Sequence, residues 1–194
     1  MSCYFQKGTN NQVAFVFSCP GKNEKDAGYP AAKAVGTNLE ALLKKLSVIL
    51  ERKDLTREQI TITNAWDQVE FKVGEGNTGR SEASNLEVVD KKNIQRLNTE
   101  LENISDYIFC CGDKAVLAVS KCKLKENVKV ISIKHLGNKA INSIKIDING
   151  NSIRSAENAR NDGDKRSKSI IGKDNTSKRI DVICHQISEQ LNVP

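Results

Sequence analysis

Val13-Ala14-Phe15-Val16-Phe17, followed closely by Pro20-Gly21, decides the fold. Five apolar residues, mostly β-branched or aromatic and ended by a turn signal, read as a strand buried on both faces, the kind found inside a parallel sheet. After a loop over 18–36, Leu39, Leu42, Leu43, Leu46, Ile49 and Leu50 recur at helical spacing, with Thr37 or Asn38 as the cap. Ile60-Thr61-Ile62-Thr63-Asn64-Ala65-Trp66 reads as a second strand, and a polar, glycine-containing loop covers 72–84. Ile94, Leu97, Leu101 and Ile104 mark the next helix. Tyr107-Ile108-Phe109-Cys110-Cys111-Gly112 is a third strand, Asp113 caps a helix carrying Val116, Leu117 and Val119, and Val128-Lys129-Val130-Ile131-Ser132-Ile133 is a fourth strand ending at Lys134-His135.

This alternation predicts an α/β protein, a three-layer α/β/α arrangement around a central, mainly parallel four-stranded sheet. Such sheets bind ligands beyond the carboxyl ends of their strands. That directs attention to 18–26, 64–67, 112–113 and 135–138.

Beyond His135 the pattern changes. Ile144, Ile146 and Ile148 alternate with Lys145 and Asp147 before Asn149-Gly150, a hairpin signal. Residues 155–177 are polar, basic and glycine-containing and read as a mobile loop. A closing helix carries Ile180, Ile183, Ile187 and Leu191. The expected organisation is a single domain over 1–194, with a basic hairpin and loop insertion at about 144–177.

With 194 residues, one domain can bury a real core. No apolar run approaches the roughly 18 residues that a membrane helix needs, and the polar start holds no apolar leader core. The expectation is a cytoplasmic monomer with no membrane partner. Six cysteines form no Cys-x-x-Cys pair, and only His135 and His185 stand by as imidazole ligands. The thiols therefore read as free and buried, with no metal or cofactor. The formal charge is +6, and 154–179 supplies eight basic residues against four acids, a net +4. That stretch suits a polyanion.

Ser18-Cys19-Pro20-Gly21, then Glu24, Asp26, Gly28-Tyr29-Pro30, Gly36 and Leu39, resembles the first motif region of the uracil-DNA glycosylase superfamily. It is closest to the bacterial and archaeal branch whose relatives often carry an iron–sulfur cluster. Ile62-Thr63-Asn64, Cys111-Gly112-Asp113-Lys114-Ala115 and His135-Leu136-Gly137-Asn138 follow in the family's order, and Ser177-Lys178-Arg179-Ile180-Asp181-Val182 looks like the start of its closing helix. Three departures stand out. Ser18 occupies the place of the acid or amide that helps activate water, and a serine is a poor general base. Ala31 falls where an aromatic usually stacks on the base. Gln68 stands near the cysteine expected of cluster-bearing relatives, and the N-terminal cysteine pair is missing, so no cluster is expected.

The resemblance implies an enzyme that hydrolyses the bond between a flipped-out pyrimidine and its sugar in DNA, leaving an abasic site. It implies His135 as donor to the leaving oxygen, with Glu24 or Asp26 near the sugar and water and Asp67 in reserve. Asn64, with Ser18 and Tyr29, would read the base. Asn138 and Lys139 would meet the duplex, Lys139 near the family's wedge position. The basic run, with Arg154, Arg160, Lys165, Arg166 and Lys168, would grip phosphates. Ala31 beside Ala32 widens the expected pocket. The target is then uracil or a bulkier phage-modified base such as a glucosylated hydroxymethylcytosine, as for an anti-phage member of the superfamily. Two other classes fit: a DNA-binding member that has lost catalysis, and an enzyme acting on free nucleosides.

Overall fold

The computed structural model describes residues 2–53 and 55–192. Its centre is one sheet of four parallel strands, β1 (Val13–Phe17), β2 (Thr61–Asn64), β3 (Tyr107–Cys111) and β4 (Lys129–Ile133), in the order β2-β1-β3-β4. β1 and β3 lie side by side at the centre. All five residues of β1 are buried, as the unbroken apolar run demands.

Alternate residues of the strands feed two apolar clusters, one on each face. Val13, Phe15 and Phe17 join Phe109, Ile131 and Ile133 on one side. There they meet Leu39, Leu42 and Leu46 of helix α2 (Lys33–Ile49) and Ile180, Ile183 and Ile187 of helix α8 (Lys168–Leu191). Ala14 and Val16 point the other way, toward Leu97 and Leu101 of α4 (Lys91–Leu101) and Ala115 and Ala118 of α5 (Asp113–Val119). The chain is therefore a three-layer α/β/α sandwich with the order of elements that the sequence predicts. At its centre the Phe15 and Phe109 rings stack with centroids 4.6 Å apart.

Both margins of the sheet are occupied. Gln6 bridges antiparallel to Ile62 along β2. At β4 the side-chain amide of Gln190 behaves as a one-residue strand. Its Oε1 accepts from the Ser132 N–H at 3.0 Å, and its Nε2 donates to the Ser132 carbonyl at 2.9 Å.

Several boundaries differ from the sequence reading. Loop 18–36 contains a short helix, α1 (Lys22–Ala27), and α2 starts at Lys33 behind Ala32 rather than at a Thr37 or Asn38 cap. Asp113 is the first residue of α5, and Gly112, at φ 97°, holds the cap position. One further turn, α3 (Asn85–Val88), precedes α4.

The largest difference is at 155–177, expected as a mobile loop. It folds into α7 (Ala156–Asn161) and the first turns of α8. Ser155 caps α7 by accepting from the Asn158 N–H, and Ser167 caps α8 by accepting from the Ile170 N–H. Ile171, Asn175 and Arg179 form the buried stripe of that first half. Two of the three are polar. Asn175 donates to the Arg154 carbonyl at 2.7 Å, and Arg179 Nε donates to the Ile144 carbonyl at 3.1 Å. The hairpin at 144–153 is reduced to one bridge, Ile146 to Ser152. Between β4 and α7 lies one more short helix, α6 (Asn138–Ile141). Among the described residues no helix is long and apolar enough to cross a membrane.

Candidate active site

A cleft of about 1000 Å³ opens across the carboxyl ends of all four strands. Its walls come from the residues that leave each strand: Ser18 after β1, Asn64 ending β2, Gly112 after β3 and His135 after β4. The chain reverses its winding between β1 and β3, where parallel sheets open to ligands. Gly112 must be small here. Its φ of 97° lies in the left-handed region, which disfavours any side chain whatever the space around it.

His135 is the best-defined group in the cleft. Its Nδ1 accepts from the Gly137 N–H at 2.9 Å. An imidazole that accepts at Nδ1 carries its proton at Nε2, so this ring is a neutral donor. Burial pushes its pKa below the ordinary imidazole value, while the charges of Glu82 and Glu24 pull it back in part. The edge of the Phe17 ring, 5.7 Å between centroids, fixes one side of the imidazole.

Asn64 is buried and lines the same cleft. Its Nδ2 donates to the Tyr4 carbonyl at 2.9 Å, and its own carbonyl accepts from Arg96 Nη2 at 2.9 Å. Arg96 in turn lies over the Tyr4 ring, 5.6 Å from its centroid. That carbonyl belongs to the backbone, so Tyr4 holds the carboxamide while a part-buried network holds the end of β2 behind it: Arg96 also binds Glu100 at 2.6 Å, and Thr63 of β2 donates to Glu100. Asp67 sits 3.9 Å from Arg96 Nε, outside the cleft.

Glu24 reaches the cleft but serves as a clamp. Its two oxygens accept from the Gly21 and Ala32 N–H groups, each at 3.0 Å, tying α1 to the start of α2. Glu24→Ala should leave both donors without their partner and lower stability by about 1–3 kcal/mol. A urea melt measures this, and Glu24→Gln should recover part of the loss.

Two expected site residues stand elsewhere. Asp26 is exposed, paired with Lys22 at 2.8 Å, and does not line the cleft; that pairing holds its carboxyl below the usual range. Tyr29 is also outside it, 40% exposed, with the Arg57 guanidinium 5.3 Å above its ring. The short helix α1 turns both away from the strand ends. Ser18 stays within the cleft and nearly buried. Ala31 lines it too, at φ 48°, and leaves space where a larger side chain would fill it.

Asn138 and Lys139 on α6 line the cleft and are exposed to solvent, with Lys134 beside them. None of Arg154, Arg160, Lys165, Arg166 and Lys168 lines it. Three of those five are matched with acids of their own segment: Arg154 with Asp162, Arg166 with Asp164 and Asp174, and Lys168 with Glu157. Arg160 and Lys165 are exposed and enter no ion pair among the described residues. The stretch that looked most basic in sequence spends its four acids on three of these cations and stands away from the cleft, and the cations at the cleft mouth are Lys134 and Lys139.

Glu70, Glu82 and Gln186, which the sequence reading passed over, also line the cleft, together with Cys19 and Asp113 from the expected strand-end segments. Burial pushes the Cys19 thiol up to about 12, so it is no nucleophile at neutral pH. Glu70 is buried and paired with Arg80, which also holds Glu87. No motif marks Glu70 and Glu82, because they come from the irregular segment after β2. Among the described residues no group of three or more His, Cys, Asp or Glu side chains is placed to hold a metal ion. No protein-family model matches this chain, and no curated protein matches it in sequence.

Proposed function

We propose that this protein is a DNA glycosylase that hydrolyses the N-glycosidic bond of a flipped-out pyrimidine and leaves an abasic site. The observation that carries the reading is the meeting of a neutral His135 donor and the buried Asn64 carboxamide in one cleft at the strand ends. A departing pyrimidine gathers negative charge on the exocyclic carbonyl oxygen beside its glycosidic nitrogen. A preset N–H donor in a partly desolvated site stabilises that charge as it develops. A carboxamide suits the base edge because it both donates and accepts.

The cleft volume supports a bulky substrate. Its roughly 1000 Å³ stands at the upper end of the range for enclosed ligand pockets and far exceeds one pyrimidine. Ala31 contributes to that space. The favoured target is therefore a pyrimidine with a large substituent, with uracil as the smaller alternative. Lys134, Lys139 and Asn138 at the mouth suit the flanking phosphates.

Oligonucleotides containing uracil, hydroxymethylcytosine or glucosylated hydroxymethylcytosine, single- and double-stranded, provide the test. After incubation and alkaline treatment, strand scission at the modified position is the expected result. Intact strands on all of these DNAs would overturn the proposal.

A further inference from the structure

Hydrolysis needs a group to take the proton of the attacking water, and the residue leaving β1 is Ser18, which is a poor base. Six acids line the cleft or were expected there, of which Asp67 lies outside it beside Arg96. Glu24 has each oxygen on a backbone N–H. Asp26 lies outside, paired with Lys22. Glu70 is buried in its ion pair with Arg80. Asp113 and Glu82 both line the cleft with carboxylates that enter no ion pair among the described residues. Of those two, Asp113 opens α5, whereas Glu82 stands on the irregular loop at the cleft wall, and its negative charge acts on His135.

Glu82 is exposed yet held in place from both sides. Two residues before it, Arg80 is clamped between Glu70 and Glu87. Immediately after it, Ala83 is buried and Ser84 accepts from the Glu87 N–H to cap α3. The Ser81 carbonyl meets the Cys19 thiol at 3.9 Å. The segment is thereby tied to the turn that follows β1.

Resting on the glycosylase reading, we infer that Glu82 is the general base of the reaction, a carboxylate carried on the loop after β2 instead of at the end of β1. Water adds to C1′ of the sugar and gives its proton to Glu82. The bond from C1′ to the base nitrogen breaks, and its electron pair leaves with the base. The base anion is held by the Nε2–H of His135 until it takes a proton from solvent. The products are an abasic sugar and the free base, with no redox change. While the C1′ centre is cationic, the negative charge of Glu82 also stabilises it.

The test uses the full chain and the modified oligonucleotide on which the unaltered protein is active. Glu82 is exposed, so Glu82→Gln and Glu82→Ala should fold normally. Glu82→Gln should slow single-turnover base release by about 100-fold or more, with DNA affinity unchanged. Added formate should restore part of the rate to Glu82→Ala, which a purely structural residue would not show. A Glu82→Gln rate within about threefold of the unaltered protein, while His135→Ala is crippled, would overturn the assignment and leave the glycosylase reading standing. If the unaltered protein releases no base from any of the DNAs, the glycosylase reading falls and takes this role with it.

Discussion

Replacing His135 with alanine should lower the rate of base release by about 100–1000-fold, the usual cost of removing one preset donor to a developing anion. DNA affinity should change little, because Lys134, Lys139 and Asn138 at the cleft mouth remain. The expectation rests on the tautomer. The Gly137 N–H points at Nδ1, which leaves Nε2 as the donor. Protonating the ring would put a second N–H against that of Gly137 and break the contact. The rate should therefore fall at acid pH. Because burial lowers the pKa, the fall should begin below the ordinary imidazole range. The same sign governs folding. With its folded pKa depressed, the neutral ring contributes stability above the unfolded value, and that contribution is lost as pH drops through the folded one. A pH–rate profile with no acid limb attributable to His135, or an alanine variant as fast as its parent, would remove the donor from the mechanism.

Arg96→Met should cost about 1–3 kcal/mol of folding stability, the range for leaving charged hydrogen-bonding groups without their partner. Arg96 and Glu100 side chains are 17% and 10% exposed, so little solvent is present to compensate. The loss extends beyond the pair. Arg96 supports the Asn64 carbonyl, the Asn93 side chain and the Tyr4 ring, and Glu100 supports Thr63. Removing it leaves Glu100 as an unmatched charge and loosens the end of β2 that carries Asn64. Urea denaturation reads the stability. The double variant Arg96→Met with Glu100→Gln should recover part of it by removing the stranded charge. A loss under about 1 kcal/mol would mean that the network is dispensable.

The central strands β1 and β3 were legible as short, dense apolar runs, which report burial on two faces, and the edge strands β2 and β4 as β-branched segments between turn signals. The rim residues were legible from the same ends: Ser18 and Gly112 directly follow β1 and β3, Asn64 closes β2, and His135 stands two residues past β4. What the sequence hid has a common cause. Helix α8 begins at Lys168, but its first buried positions include Asn175 and Arg179, whose polar ends are met by backbone carbonyls, so apolar periodicity is silent there. The position of Asp26 and Tyr29 depends on the short helix α1, which buries none of its residues and so leaves no periodic trace. Glu82 sits in an irregular loop whose course is set by the Arg80 clamp, a contact across sequence that composition does not encode. Charge counting along 154–179 found the basic residues and missed that their acids lie within reach of them in the fold.

The occupied margins of the sheet bear on how this molecule behaves in a crowd. A parallel sheet with a bare outer strand is a template on which a second chain can lay its own backbone and begin to polymerise. Here Gln190 occupies both hydrogen-bonding groups of Ser132 on one side, and Gln6 does similar work for Ile62 on the other. Each glutamine thus interrupts the row of free backbone groups on its edge at one residue, which shortens the stretch on which a second chain could pair.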